Sequence, residues 1–267
     1  MEQTFFYIRI LLALTCLVTA CYSDYKTRTV SNKLWKTFLP LSLTLTCFTI
    51  LMFDSSKLYS TIISVTTTTV FALILFYTGA FGGADSKALI YIATALPYLP
   101  TVNFTIFKNI SPIAQSFPAI TTLTNAVLIT LVSTAYLTMH NLIQCKITHQ
   151  PLFPDQLKKE PLIKKMLTLI TSQKYTITQL QQNKHLYPTE QITLNTTTQT
   201  TQRKLLATPN YDNKQQTLNA LTEKCNINRI QTVWATPGIP MLIYITAGLI
   251  ITLTIGDIAW LMLEILA

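Results

Sequence analysis

Charge is scarce in this 267-residue chain: Asp, Glu, Lys and Arg together make up 12% of it, against about 25% in ordinary soluble domains. Hydrophobic residues make up 49% and mean hydropathy is positive, so the composition argues against a soluble globular protein and for a multi-span membrane protein. The five cysteines, Cys16, Cys21, Cys47, Cys145 and Cys225, form no Cys-x-x-Cys pair. That leaves neither a zinc ribbon nor a disulfide framework, and reduced, buried thiols are expected. The three histidines, His140, His149 and His185, lack metal-ligand spacing such as His-Glu-x-x-His, so no metal and no cofactor are expected. There is no serine nucleophile elbow, no Cys/His pair and no internal repeat.

What the chain does have is long apolar runs. A membrane helix needs about 20 mostly apolar residues. Six stretches qualify as candidates: 5–23, 34–53, 58–79, 84–102, 118–142 and 239–266. Arg9 lies near the start of the first, where a long side chain can reach the interface. Pro97 and Pro100 crowd the end of the fourth. Pro237-Gly238 and Pro240 suit the start of the sixth.

The intervening block, 144–236, is polar and rich in Gln, Thr, Asn and Lys. Helical spacing of Leu162, Ile163, Met166, Leu167 and Ile170 predicts a helix over 155–172, with Pro161 in its first turns. Short strands are expected at 175–177 and 191–194 and a second helix at 213–225. The Thr/Gln tract 195–202 is expected to be a mobile loop. The fold class is therefore an all-α polytopic membrane protein of about six transmembrane helices, with a small cytoplasmic α+β domain inserted before the last helix. Its divisions are a membrane domain at 1–143, a soluble domain at 144–236 and the last helix at 237–267.

The net charge of +9 does not call for nucleic acid, because the basic residues sort by membrane side. With the N-terminus outside, seventeen of the twenty fall inside: Lys26, Arg28, Lys33, Lys36, Lys87 and twelve in the polar block. Only Arg9, Lys57 and Lys108 fall outside. The short loops alone give the same orientation.

Acidic residues at membrane depth are costly and functional by default. Asp24 closes the first candidate span and Asp85 opens the fourth. Two crossings between them return the chain to the same face, the cytoplasmic one in this orientation. Two carboxylates meeting there could share a proton, one acting as base toward water and the other as acid toward a carbonyl. Asp85 at a helix N-terminus is favoured as the ionised base and Asp24 at a helix C-terminus as the proton holder; Arg28 opposes that assignment if it reaches Asp24. Asp24, Arg28 and Asn32 would line one face if the first helix continued. Gly79, Gly82 and Gly83 offer backbone access just before Asp85. Lys87 is placed to meet a substrate carboxylate or a lipid phosphate. Asp257 suits an interhelical hydrogen bond, and Glu264 the interface.

These residues carry a resemblance. Asp24-x-x-x-Arg28-x-Val30-Ser31-Asn32 resembles the first aspartate motif of the prepilin peptidase family. Gly82-Gly83-Ala84-Asp85-x-Lys87 resembles its Gly-x-Gly-Asp signature, with Ala84 in place of the second glycine. Lys184-His185-Leu186-Tyr187-Pro188 and Trp234-Ala235-Thr236-Pro237-Gly238-Ile239-Pro240 look like the archaeal members that process archaellins and type IV pilins. The resemblance implies a membrane aspartyl endopeptidase with Asp24 and Asp85 catalytic and Arg28, Asn32, Gly82, Gly83 and Lys87 in support. It implies removal of a short basic leader from membrane-inserted pilin or archaellin precursors. The methyltransferase domain and paired-cysteine motif of bacterial relatives are absent, so no methylation is expected. The bilayer is the other implied partner, and nothing in the sequence fixes the oligomeric state.

Presenilin-type peptidases would carry Tyr-Asp, but here Tyr25 follows Asp24. A transporter or channel with acids lining a pathway is the main alternative; it calls for acids nearer mid-membrane and broken helices. The polar block is basic, like the leader, so only its few acids, Asp155, Glu160, Glu190, Asp212 and Glu223, could receive that leader locally.

Overall fold

The computed structural model describes residues 1–99, 111–149, 151–183, 185–194, 201–206, 218, 221–222, 230, 232–238 and 241–266. It divides into two units, one of residues 1–130 and 240–267, the other of residues 131–239.

The first unit is helical. Helix α1 runs Glu2–Thr27, α2 Asn32–Phe53, α3 Leu58–Tyr77, α4 Gly83–Ala95, α5 Pro112–Ser116 and α6 Pro118–Thr148, the last continuing past residue 130 into the second unit; α9 runs Met241–Thr254 and α10 Ile258–Leu266. Four of these segments are long and apolar enough to cross a membrane: α1, α2, the stretch Ser55–Tyr77 containing α3, and α6. A fifth is counted if the bent pair α9 and α10 forms one span. The chain is thus a mostly helical membrane protein. At 1.5 Å per residue the 13 residues of α4 extend about 20 Å, short of a hydrocarbon core about 30 Å thick. The helix stops at Ala95 because Leu96 precedes Pro97 and is driven out of the helical region.

Helix α4 is the centre of the unit and packs on α1, α2, α3 and α9. Its residues Ser86, Ala88, Leu89 and Tyr91 to Ala95 are buried. Two hydrogen bonds fix its neighbours: Tyr91 Oη donates to Leu12 O at 3.0 Å and Thr46 Oγ1 to Thr94 O at 2.9 Å. The surrounding core is built from Leu17, Trp35, Ile92, Leu242, Ile245 and Leu249. Gly248 brings α9 against α6, since a Cβ there would stand 2.4 Å from Thr122 O.

Helices α9 and α10 meet at 57°. Gly256, at φ 100°, makes the break. Asn125 holds it, donating to Gly256 O at 2.8 Å and accepting from Ile258 N at 3.2 Å. Asp257 caps α10 through Trp260 N and accepts from Ser111 Oγ at 2.9 Å, the interhelical role expected of it. The expected continuous last helix is therefore bent. Cys16 is buried as expected and Cys21 and Cys145 partly so, but Cys47 faces outward on α2. Cys225 lies outside the described residues.

The second unit is mixed. Its helices are α7 Leu162–Thr171 and α8 Ile177–Gln182, and its strands β1 Gln173–Thr176, β2 Leu186–Pro188, β3 Glu190–Leu194, β4 Thr201–Leu205 and β5 Thr232–Pro237. An antiparallel three-stranded sheet has the order β1-β5-β2, and β3 pairs with β4. The helix expected over 155–172 starts later, because Pro161 sits at its N-cap and not inside it. Thr201 and Gln202 belong to β4, where a loop was expected; 195–200 lie outside the described residues, as does most of the helix expected at 213–225. The two archaeal-type motifs are neighbours in the sheet, with Tyr187 opposite Thr236 and Gly238 N donating to His185 O at 3.0 Å. Glu190 is fully buried, bonded to Arg203 and to Trp234 N. It is thus committed to the core and unavailable to a leader peptide.

Candidate active site

Asp24 stands in the last turn of α1, and the exit from that turn is built locally. Arg28 takes a left-handed conformation, φ 56°, and its N–H donates to Asp24 O at 2.8 Å. Such a φ is uncommon outside glycine and ends a helix. Ser23 Oγ and Thr27 Oγ1 both donate to Thr29 O, at 2.9 and 3.0 Å. Ser31 then caps α2, its Oγ accepting from Lys33 N at 3.3 Å. The helix does not continue, so Asp24, Arg28 and Asn32 do not share the single helix face expected of them. Arg28 Nε is buried without a hydrogen-bond partner.

Asp85 is the third residue of α4. Its Oδ2 accepts from Gly82 N at 3.1 Å, the return half of a capping box. A carboxylate there also faces the positive end of the helix dipole. The preceding turn needs Gly79, at φ 75°, where an L side chain is strained. Gly82 serves by its size: a Cβ there would lie 3.0 Å from Asp85 Oδ2. Gly83 is less constrained, with only Phe76 Cε2 at 3.5 Å. Ala84 lies in helical backbone, which alanine favours.

Helices α2 and α3 carry the chain away and back, so the end of α1 and the start of α4 lie at one end of the bundle whether or not α4 crosses the membrane. Lys87 Nζ donates to Asn32 Oδ1 at 2.7 Å and ties the second turn of α4 to the first turn of α2. The charge of Asp24 acts on Asp85, and both carboxylates are half-buried. Two acids from distant parts of the chain are thus within electrostatic range of each other, with limited access to water. Lys87, expected to face a substrate or headgroup, is engaged with Asn32.

Sequence reasoning missed Cys21 and Thr246. The Cys21 thiol feels both aspartates and lies 2.9 Å from Thr246 Oγ1 on α9. The signal was its position three residues before Asp24, on the same helix face.

Among the described residues the remaining candidates offer no comparable pair. A cavity of about 310 Å³ in the second unit is lined by His140, Cys145, Lys174 and Trp234 among others, with no carboxylate. Among the described residues no group of three His, Cys, Asp or Glu side chains is clustered to hold a metal.

Comparison with known families gives two matches in separate parts of the chain. Residues 11–138 match the type IV leader peptidase family, and residues 164–258 match the archaeal peptidase A24 C-terminus, type II. The first match contains both aspartates and the second contains β5 and both archaeal-type motifs. No individual curated protein matches the chain.

Proposed function

The chain belongs to the type IV leader peptidase family in its archaeal form, and from that membership we propose that it is an aspartyl endopeptidase working through Asp24 and Asp85. The observation that carries the proposal is their convergence: α1 and α4 deliver two half-buried carboxylates close enough for one charge to act on the other. In the reaction one carboxylate takes a proton from water. The other, protonated, donates to the scissile carbonyl as the tetrahedral intermediate forms. Low local polarity strengthens the stabilisation of that intermediate.

Gly82 N–H pins the Asp85 carboxylate at the positive end of α4, and the shared proton belongs to the pair rather than to one member. Gly82 leaves room for the Asp85 carboxylate, and Asn32 and Lys87 brace the start of α4 against the start of α2.

The substrate is a membrane-inserted pilin-like or archaellin-like precursor with a short basic leader. The aspartates face the cytoplasm and the N-terminus lies outside, as the basic residues of the short loops support. Six spans follow when α4 and the stretch after it are counted as the fourth and the bent α9–α10 pair as the sixth. Residues 1–143 then form the membrane domain, 144–236 the soluble one and 237–267 the last helix.

The test is cleavage of a defined precursor in membranes, with the cut bond located by mass spectrometry. Asp24→Asn and Asp85→Asn should each lower the rate by at least about 100-fold, the smaller end of general acid–base contributions, while both variants still insert. Near-normal processing by either variant rejects the paired mechanism.

A further inference from the structure

Helix α7 carries its apolar side outward. Leu162, Ile163, Met166 and Leu167 fall on one side of this ten-residue helix, and the first three are 76%, 73% and 65% exposed. The covered side is the polar one. Thr168 is 2% exposed, while Lys164 pairs with Glu160 at 3.4 Å and Lys165 Nζ donates to Lys158 O at 2.6 Å. A surface helix of a water-soluble domain has the reverse arrangement, with apolar residues in and charge out.

Lysines surround the exposed apolar side. Lys158, paired with Asp155 at 2.6 Å, and Lys159 are exposed just before the helix, and Lys164 and Lys165 flank it. This pairing of an apolar strip with a cationic border suits a helix lying in the headgroup region of an anionic bilayer. The chain is a membrane protein, and α6, one of the segments able to cross, ends at Thr148, shortly before α7 begins. A second copy docked symmetrically on the same face would set these lysines against their own counterparts, and like charges oppose that.

We propose that α7 is an interfacial membrane anchor. Leu162, Ile163, Met166 and Leu167 enter the boundary between headgroups and acyl chains, and Lys158 and Lys159 meet anionic headgroups. The anchor is independent of the catalytic assignment.

The full-length protein, in nanodiscs of phosphatidylcholine and phosphatidylglycerol, tests this with the photocrosslinker benzoylphenylalanine placed at Ile163, at Met166 or at the exposed polar residue Gln156. All three positions are exposed, so folding should survive the probe. Lipid adducts at 163 and 166 should exceed those at 156 by about 10-fold, as insertion of one face implies. Lys158→Gln with Lys159→Gln should lower the phosphatidylglycerol share of the adducts. Chain-to-chain adducts in place of lipid adducts, or lipid adducts at 163 no more frequent than at 156, overturn the anchor. An unchanged phosphatidylglycerol share in the lysine variant overturns the headgroup contact.

Discussion

Gly82→Ala separates the placement of Asp85 from the stability of α4. A Cβ at position 82 would stand 3.0 Å from Asp85 Oδ2, where ordinary contact begins at 3.4 Å. The carboxylate must therefore retreat by about 0.4 Å, and since a misplacement of about 1 Å costs about 100-fold, the rate should fall about six-fold. Stability should hardly change. Gly82 has φ −71°, which alanine accepts. A poorer N-cap costs up to about 1 kcal/mol, and the stiffer unfolded chain returns about 0.4–1 kcal/mol. Gly83→Ala is the internal control: its Cβ meets Phe76 at an ordinary 3.5 Å, and alanine inside a helix is better than glycine by about 1 kcal/mol. It should lose less cleavage rate than Gly82→Ala and melt no lower. The assay is single-turnover cleavage of a membrane-inserted precursor, beside thermal unfolding in detergent. Wild-type cleavage by Gly82→Ala, or an equal loss in Gly83→Ala, would refute the view that the small residue at 82 sets the position of the carboxylate.

Other substitutions test the frame around the site. Gly248→Ala pushes a methyl into Thr122 O and Ala126 N, at 2.4 and 2.9 Å, and overpacking of this kind costs about 1–3 kcal/mol, read as a lower unfolding midpoint. Arg203→Met leaves Glu190 buried and without its cation; the loss, about 3–5 kcal/mol, should appear as proteolysis within 131–239 under conditions where the wild type resists. Asn125→Leu removes the bonds to Thr252, Gly256 and Ile258 at the α9–α10 break. It leaves buried backbone groups unpaired at about 1–3 kcal/mol, measurable as faster amide exchange at 256–258.

Much of the architecture could be read in the sequence because membrane spans announce themselves by composition. The ends of α2, α3 and the start of α6 fall within a few residues of their expected places. Both aspartates stood out because acids are rare in such a chain. What could not be read depended on shape or on distant partners. Arg28 in a left-handed conformation breaks the expected alignment with Asn32, and nothing in an arginine announces such a turn. The shortness of α4 follows from Leu96-Pro97, but the expected span ran on through it. The spacing of Leu162, Ile163 and Met166 gave a helix correctly, yet periodicity cannot say whether the apolar side faces in or out. Glu190 looked like any other acid until Arg203 and Trp234 N closed around it.

Because helix α4 is sheathed on nearly every side by its own protein, it has little acyl chain to match. Lipid thickness acts on a helix through mismatch between its apolar length and the surrounding hydrocarbon. Here that mismatch falls on α1, α2 and α3, whose outer faces carry Leu11, Leu51 and Ile74. The aspartate on α4 keeps its depth relative to its helical neighbours while the rim of the bundle adjusts to thicker or thinner membranes.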